Sequence, residues 1–138
     1  MKQLKFNQTG FTLLELLVVM VIIGLLAGYV GPKYFNQLGK SEIKVAQAQI
    51  QAFDQALDQY RLDLGHYPKT EEGLEVLITS PSKEPKWNGP YLKKQLPLDP
   101  WGNPYVYRKP GQAKEFDLIS YGPDGKLGGK DEKADITN

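Results

Sequence analysis

Cysteine is missing from the 138 residues, and histidine occurs once, as His66. Without thiols the chain has neither disulfides nor thiolate metal sites. A single imidazole leaves little room for histidine-based metal binding or acid–base chemistry. His66 stands in a Gly-His-Tyr-Pro turn with no nucleophile signature such as GxSxG nearby, so a hydrolase finds no support and the chain reads as non-enzymatic. Arginine is scarce too, confined to Arg61 and Arg108, and 17 Lys+Arg against 16 Asp+Glu leave a net charge of +1. No basic stripe, the electrostatic footprint of nucleic-acid binding, is visible. The length allows one domain.

What apolar content there is concentrates in one run. Residues 11–30 read FTLLELLVVMVIIGLLAGYV, with Glu15 as their one charge. As a helix this run spans about 30 Å, the hydrocarbon thickness of a bilayer. A buried core helix would show a polar face, and this run has none, so it reads as a membrane span over residues 11–31. Lys2 and Lys5 precede it, and Lys33, Lys40 and Lys44 follow closely, so the positive-inside rule leaves orientation open.

The preceding residues, MKQLKFNQTG, are polar and basic, and their one small residue, Gly10, lies before the apolar run. A secretory signal peptide has the opposite order. The string Gly10-Phe11-Thr12-Leu13-Leu14-Glu15, followed by the unbroken run, resembles the leader junction of type IV prepilins. The resemblance implies a leader over residues 1–10, prepilin-peptidase cleavage after Gly10 and N-methylation of the new terminus at Phe11. Glu15 would then be the fifth residue of the mature chain. An ionised carboxylate costs about 2.5–3.5 kcal/mol at the centre of a membrane helix and less near its end. Glu15 is therefore either solvated at headgroup level or paired with a positive charge. The resemblance implies the second, with the Phe11 amine of an adjacent subunit as partner.

The helical pattern continues past the span. Ile43, Ala46, Ile50, Phe53, Leu57, Tyr60 and Leu64 fall on one face at helical period, opposite Lys44, Gln47, Gln51, Asp54, Gln55 and Asp58. Gly65 and Pro68 supply the stop. The heptad run is too short and its flanks too poorly charge-paired for a coiled coil, so the stripe is expected to pack on the chain's own C-terminal part. From residue 11 to 64 a continuous helix would be about 80 Å long. Pro32, after Gly31, predicts a kink or local melting, and Gly24 and Gly28 form a GxxxG spacing that lets helices approach.

Residues 65–138 read as a punctuated head. Thr70 is placed to cap a short helix over 71–78, with Glu71 and Glu72 in its first turn. Six prolines from Pro81 to Pro104 predict an ordered loop. Residues 105–108 and 116–121 read as strands joined around Pro110-Gly111, with a short third strand near Ile136. The fold class is therefore α+β, a long N-terminal helix packed on a head with a short helix, a long loop and a small antiparallel sheet.

The strings YPKTEEGLEVL, WNGPYLKKQLPLDPWGNPYVYRKPG and FDLISYGPDGKLGGKDEKADI resemble the major pseudopilins (G subunits) of bacterial type II secretion systems, within the type IV pilin-like superfamily. That resemblance implies a pilin-like fold and a helical homopolymer, the periplasmic pseudopilus, which drives folded proteins across the outer membrane. Its implied partners are minor pseudopilins, the inner-membrane secretion platform and the prepilin peptidase. The head would lie in the periplasm and the span in the inner membrane. A surface type IV pilin is the alternative, against which stand the missing cysteine-bracketed loop and the calcium loop that the resemblance implies. Trp101, within DPWGNPY, is expected to plug the core. The tail ends at Thr137-Asn138, where many relatives add an aromatic, so the last strand is expected to be short.

Residues 124–135, DGKLGGKDEKAD, gather hard oxygen donors on a glycine-rich backbone, as Ca²⁺ requires. Their spacing is not that of an EF-hand, and three lysines interleave the acids, so a solvated turn fits the residues as well. A small head without disulfides needs some other staple. The pseudopilin resemblance implies a Ca²⁺ loop with Asp124 and Asp131 as side-chain ligands and Tyr121, Lys126 and Gly128 as carbonyl donors. Glu132 occupies a position often held by Asp, and Asp135 is a reserve ligand.

Overall fold

A computed structural model describes residues 10–93 and 95–138, with the side chain of Glu132 outside the description. The leader reading therefore lies outside the described residues except for Gly10. The chain divides into two compact units, Met1–Leu38 and Gly39–Asn138. One helix, α1, covers Leu13–Leu64.

In the first unit, α1 is helical at every position to Leu38, through Pro32 included. The expected melting at Pro32 does not occur. Proline removes only its own N–H from the ladder, and the bonds on either side keep the turn helical. Every apolar side chain from Leu13 to Val30 is exposed, Leu13 at 85% and Leu25 at 72%. The apolar window here is the one stretch, among the described residues, long and apolar enough to cross a membrane, and none of it is buried. Gly24 and Gly28 face open space.

In the second unit the apolar stripe behaves as its period predicts. Ala46, Ile50, Phe53, Ala56, Leu57 and Tyr60 are buried, with Ile43 and Leu64 packed at the edge of the same core. Gly65 ends α1 with φ 85°, and its amide donates to the Arg61 carbonyl at 2.7 Å. A side chain with a Cβ would be strained in that left-handed conformation.

The helix expected over 71–78 is instead a single 3-10 turn, Leu74–Leu77, with no side-chain cap. Thr70 does not cap it. Its hydroxyl donates to the Lys109 carbonyl and accepts from the Lys109 amide, both at 2.8 Å, and so ties this segment to a bend far away in sequence. Glu72 accepts from the Lys69 amide at 2.7 Å. With these groups engaged and Gly73 at φ 62°, the chain cannot begin an α-helix earlier.

The proline-rich stretch is irregular but anchored. The Trp87 indole donates to the Val76 carbonyl at 2.8 Å, and the Tyr91 hydroxyl donates to Asp63 on α1 at 2.8 Å. Three strands follow: β1 Val106–Arg108, β2 Asp117–Ser120 and β3 Ile136–Thr137. They form an antiparallel sheet in the order β1-β2-β3, with Val106 opposite Ile119 and Ser120 opposite Ile136. Leu118, fully buried, turns into the core beside Leu57 and Leu77. Edge-to-face aromatic pairs close the interior, Phe53 with Tyr105 at 5.2 Å and Tyr67 with Phe116 at 4.8 Å. Trp101 is not the plug. It packs at the rim, half-buried, because its indole N–H reaches Glu42 on α1 at 2.9 Å.

Candidate functional site: a capped helix start and a glycine-rich loop

Two places carry functional groups, one in each unit. At the start of α1, the Thr12 hydroxyl accepts from the Glu15 amide at 3.2 Å, while Glu15 Oε2 accepts from the Thr12 amide at 2.8 Å. Thr12 Oγ1 also donates to Oε2 at 3.1 Å. This is a reciprocal capping box, and its sequence signal, Thr followed three residues later by Glu, was present but unread. Glu15 therefore has a local task besides any intermolecular one: one carboxylate oxygen holds the first turn. Gly10 and Phe11 precede the helix and are exposed, Phe11 at 81%. Pro32 is inside α1.

The second place is the loop between β2 and β3. A 3-10 turn, Gly122–Asp124, opens it and a second, Asp131–Lys133, closes it. The two turns fold back on each other: a Cβ at Gly129 would collide with the Lys133 carbonyl oxygen, and one at Gly122 would lie 3.2 Å from the Ala134 carbonyl. With φ 127° at Gly129, no other residue fits there. Asp131 itself is held in the left-handed region at φ 56°.

The carboxylates occupy different environments. Asp124 and Asp131 are exposed, and Asp124 Oδ1 accepts from the Lys126 amide at 3.1 Å in a local turn. Asp135 is turned inward. Its Oδ2 accepts from the Gly128 amide at 2.9 Å, and its Oδ1 is buried with no hydrogen-bond partner among the described residues. Among the described residues no three acidic or histidine side chains converge on one point. The loop thus does not gather Asp124, Asp131 and Asp135 as a carboxylate cluster. What it offers is one carboxylate, that of Asp135, whose inner oxygen has no partner among the described residues. An orphaned carboxylate oxygen on a glycine-rich loop fits a hard cation, which takes its ligands from carbonyls and a few carboxylates. Of the loop carboxylates described, Asp135, named above as a reserve ligand, is the one with a buried unpaired oxygen. Only burial distinguishes it from its neighbours, and local sequence does not encode burial.

His66 is exposed, its Nδ1–H donates to the Tyr67 carbonyl at 3.1 Å, and its ring stands edge-on to Tyr60. That arrangement serves a turn.

Comparison with known proteins identifies the family. Residues 33–138 match the family model described as type II secretion system (T2SS), protein G. Residues 5–30 match the prokaryotic N-terminal methylation motif. The chain is similar to type II secretion system core protein G of Pseudomonas aeruginosa, 48% identical with 96% of this chain and 95% of that protein covered. Core protein G of Escherichia coli K12 is 47% identical, with 96% and 91% covered. Among solved structures, the major pseudopilin from the type 2 secretion system of enterohaemorrhagic Escherichia coli superposes with a TM-score of 0.63 at 35% identity, covering 75% of this chain and 91% of that one.

Proposed function

The chain belongs to the protein G family of the type II secretion system, and from that premise we propose how its parts serve a major pseudopilin, the structural subunit of a pseudopilus. The observation that carries the proposal is the wholly exposed apolar first half of α1, joined to a compact polar head. An apolar surface of this length needs lipid before assembly and the helices of other copies after it. A repeated, non-closing contact between such copies builds a helical filament.

The leader is removed after Gly10, and the methylated amine of Phe11 pairs with Glu15 of a neighbouring copy. That pairing sets the axial step of the fibre. Glu15 keeps one oxygen on Thr12, and the other serves the neighbour. The span lies in the inner membrane with the head in the periplasm. Minor pseudopilins, the inner-membrane platform and the prepilin peptidase are its partners. The role is structural, and no catalytic step is assigned to any residue.

The β2–β3 loop binds Ca²⁺. Asp135, Asp124 and Asp131 are its carboxylate candidates, and Tyr121, Lys126 and Gly128 offer carbonyl oxygens. Glu132 remains in the set from the family likeness alone. The ion would neutralise the buried Asp135 oxygen and join the two 3-10 turns, a cross-link that this head otherwise lacks.

The test is made in cells deprived of this chain and complemented with it. Complementation should restore secretion of folded proteins and fibres visible by electron microscopy, and mass spectrometry of the fibres should find a methylated Phe11 terminus. Unimpaired secretion without the chain, or an intact Met1 terminus in the fibres, would refute the reading.

A further inference from the structure

The motif DPWGNPY, residues 99–105, has no part in the function proposed so far, yet it contains a buried carboxylate. Asp99 is 4% exposed. Its Oδ1 accepts from the amides of Trp101 at 3.1 Å and Asn103 at 2.8 Å, and its Oδ2 accepts from the Ser120 hydroxyl at 2.8 Å. No salt bridge engages it among the described residues. Three hydrogen bonds hold this anion in the interior, and bonds to an ionised acceptor are stronger than neutral ones.

Two of the three groups it grips lead to the glycine-rich loop. Ser120, fully buried at the end of β2, accepts the Gly122 amide at its hydroxyl oxygen, 3.3 Å away, where the loop begins. Asn103 lies against Gly125 so closely that a Cβ there would come within 3.3 Å of the Asn103 side-chain amide. One carboxylate therefore fixes the entrance of the loop from two sides. The same turn carries Trp101 onto Glu42 of α1.

We propose that Asp99 is a positioning residue for cation binding: through Ser120 and Asn103 it holds the Gly122–Asp124 turn in the geometry that receives Ca²⁺, without touching the ion. This rests on the Ca²⁺ reading of the loop. Two physical effects act together. The clamp reduces the ordering that the loop must undergo when the ion enters. In addition, the buried negative charge beside the loop favours a cation over an empty site. Groups that orient a metal's ligands from behind typically change affinity by roughly 10–100-fold when altered.

The experiment uses the full chain in detergent micelles, titrated calorimetrically with calcium chloride alone. Melting curves are recorded in chelator and in excess Ca²⁺. Three variants are compared with the parent. Asp99→Asn keeps the acceptor for the two amides and removes the charge. Ser120→Ala removes only the hydroxyl link. Thr70→Ala breaks the Lys109 staple, which shares no hydrogen bond with Asp99, Ser120 or Asn103 among the described residues. The expected result is a dissociation constant raised about 10–100-fold by Asp99→Asn and Ser120→Ala, with a smaller Ca²⁺-induced rise in melting temperature. Thr70→Ala should melt lower in both conditions at unchanged affinity. Should Asp99→Asn fail to fold, Ser120→Ala decides. Parental affinity in the two clamp variants, with melting lowered equally in chelator and in Ca²⁺, overturns the proposal and leaves the Ca²⁺ reading standing. No binding of Ca²⁺ by the parent chain overturns both.

Discussion

Replacing Glu15 by Gln separates the capping task that the structure shows from the intersubunit pairing proposed for the same carboxylate. Gln also serves at the third position of a capping box, so its amide oxygen should still accept from Thr12 and the start of α1 should hold. Insertion should not suffer, since a neutral amide replaces a charge that is costly in lipid. What disappears is the proposed attraction to the Phe11 amine of the neighbouring subunit. The same loss recurs at every subunit contact along a helical filament, so even a modest weakening of each contact should deplete the fibre. The complementary variant, Thr12→Ala, keeps the charge and loses the cap, which costs about 0.5–2 kcal/mol of helix stability and leaves the intersubunit pair in place. The assay compares fibre sheared from cells with the membrane pool by immunoblot and electron microscopy. Glu15→Gln should insert at parental levels and yield almost no fibre, whereas Thr12→Ala should assemble at a reduced but visible level. Parental fibre yield from Glu15→Gln, with failure of Thr12→Ala, would show that Glu15 matters only as a cap.

Removal of Ca²⁺ should lower the melting temperature of the head: at a free concentration about 100 times the dissociation constant the ion contributes ~2.7 kcal/mol. In a unit of this size that is about 10–20 °C, and Mg²⁺ should restore it poorly because of its stricter geometry; identical curves in chelator and in Ca²⁺ would leave the loop a solvated turn. Asp54 on α1 has a buried, unpaired Oδ1, and burial raises its pKa above the usual carboxylate value, with Lys114 nearby acting in the opposite sense. A raised folded-state pKa penalises the charged form, so the penalty is present at neutral pH and fades as pH falls through the folded pKa into the carboxylate range. Asp54→Asn should therefore raise the melting temperature at pH 7 and lose that gain in acid; a gain independent of pH would contradict this. Tyr60 is fully buried with its hydroxyl unpaired, and burial pushes its pKa up to about 12. Tyr60→Phe should leave stability unchanged or raise it by up to about 1–3 kcal/mol, the usual penalty of an unsatisfied buried polar group; a fall in urea denaturation midpoint would reveal a partner for that hydroxyl.

The helix was legible because its signals are local. The apolar run, the stripe from Ile43 to Leu64 and the Gly65 stop each depend on spacing within a few turns, and α1 follows them from Leu13 to Leu64. The strands followed for the same reason, since alternating apolar residues between turn signals place β1, β2 and β3 close to their expected positions. The family was legible in contiguous strings.

Polar partners were not legible. Thr70 looks like a cap in sequence, but its hydroxyl is taken by Lys109, 39 residues away. Trp101 looks like a core plug, but its indole is drawn to the rim by Glu42, 59 residues away. Asp124, Asp131 and Asp135 are equivalent as letters, and only the fold turns one of them inward with an unpaired oxygen. Hydropathy and helical period act along the chain, so the sequence alone determined the membrane-length helix, its amphipathic continuation and the family. A hydrogen bond is directional and short, and its partner is whichever group the folded backbone brings within about 3 Å. For that reason the grip of Asp99 on Ser120 and the orphan oxygen of Asp135 were decided by tertiary structure alone.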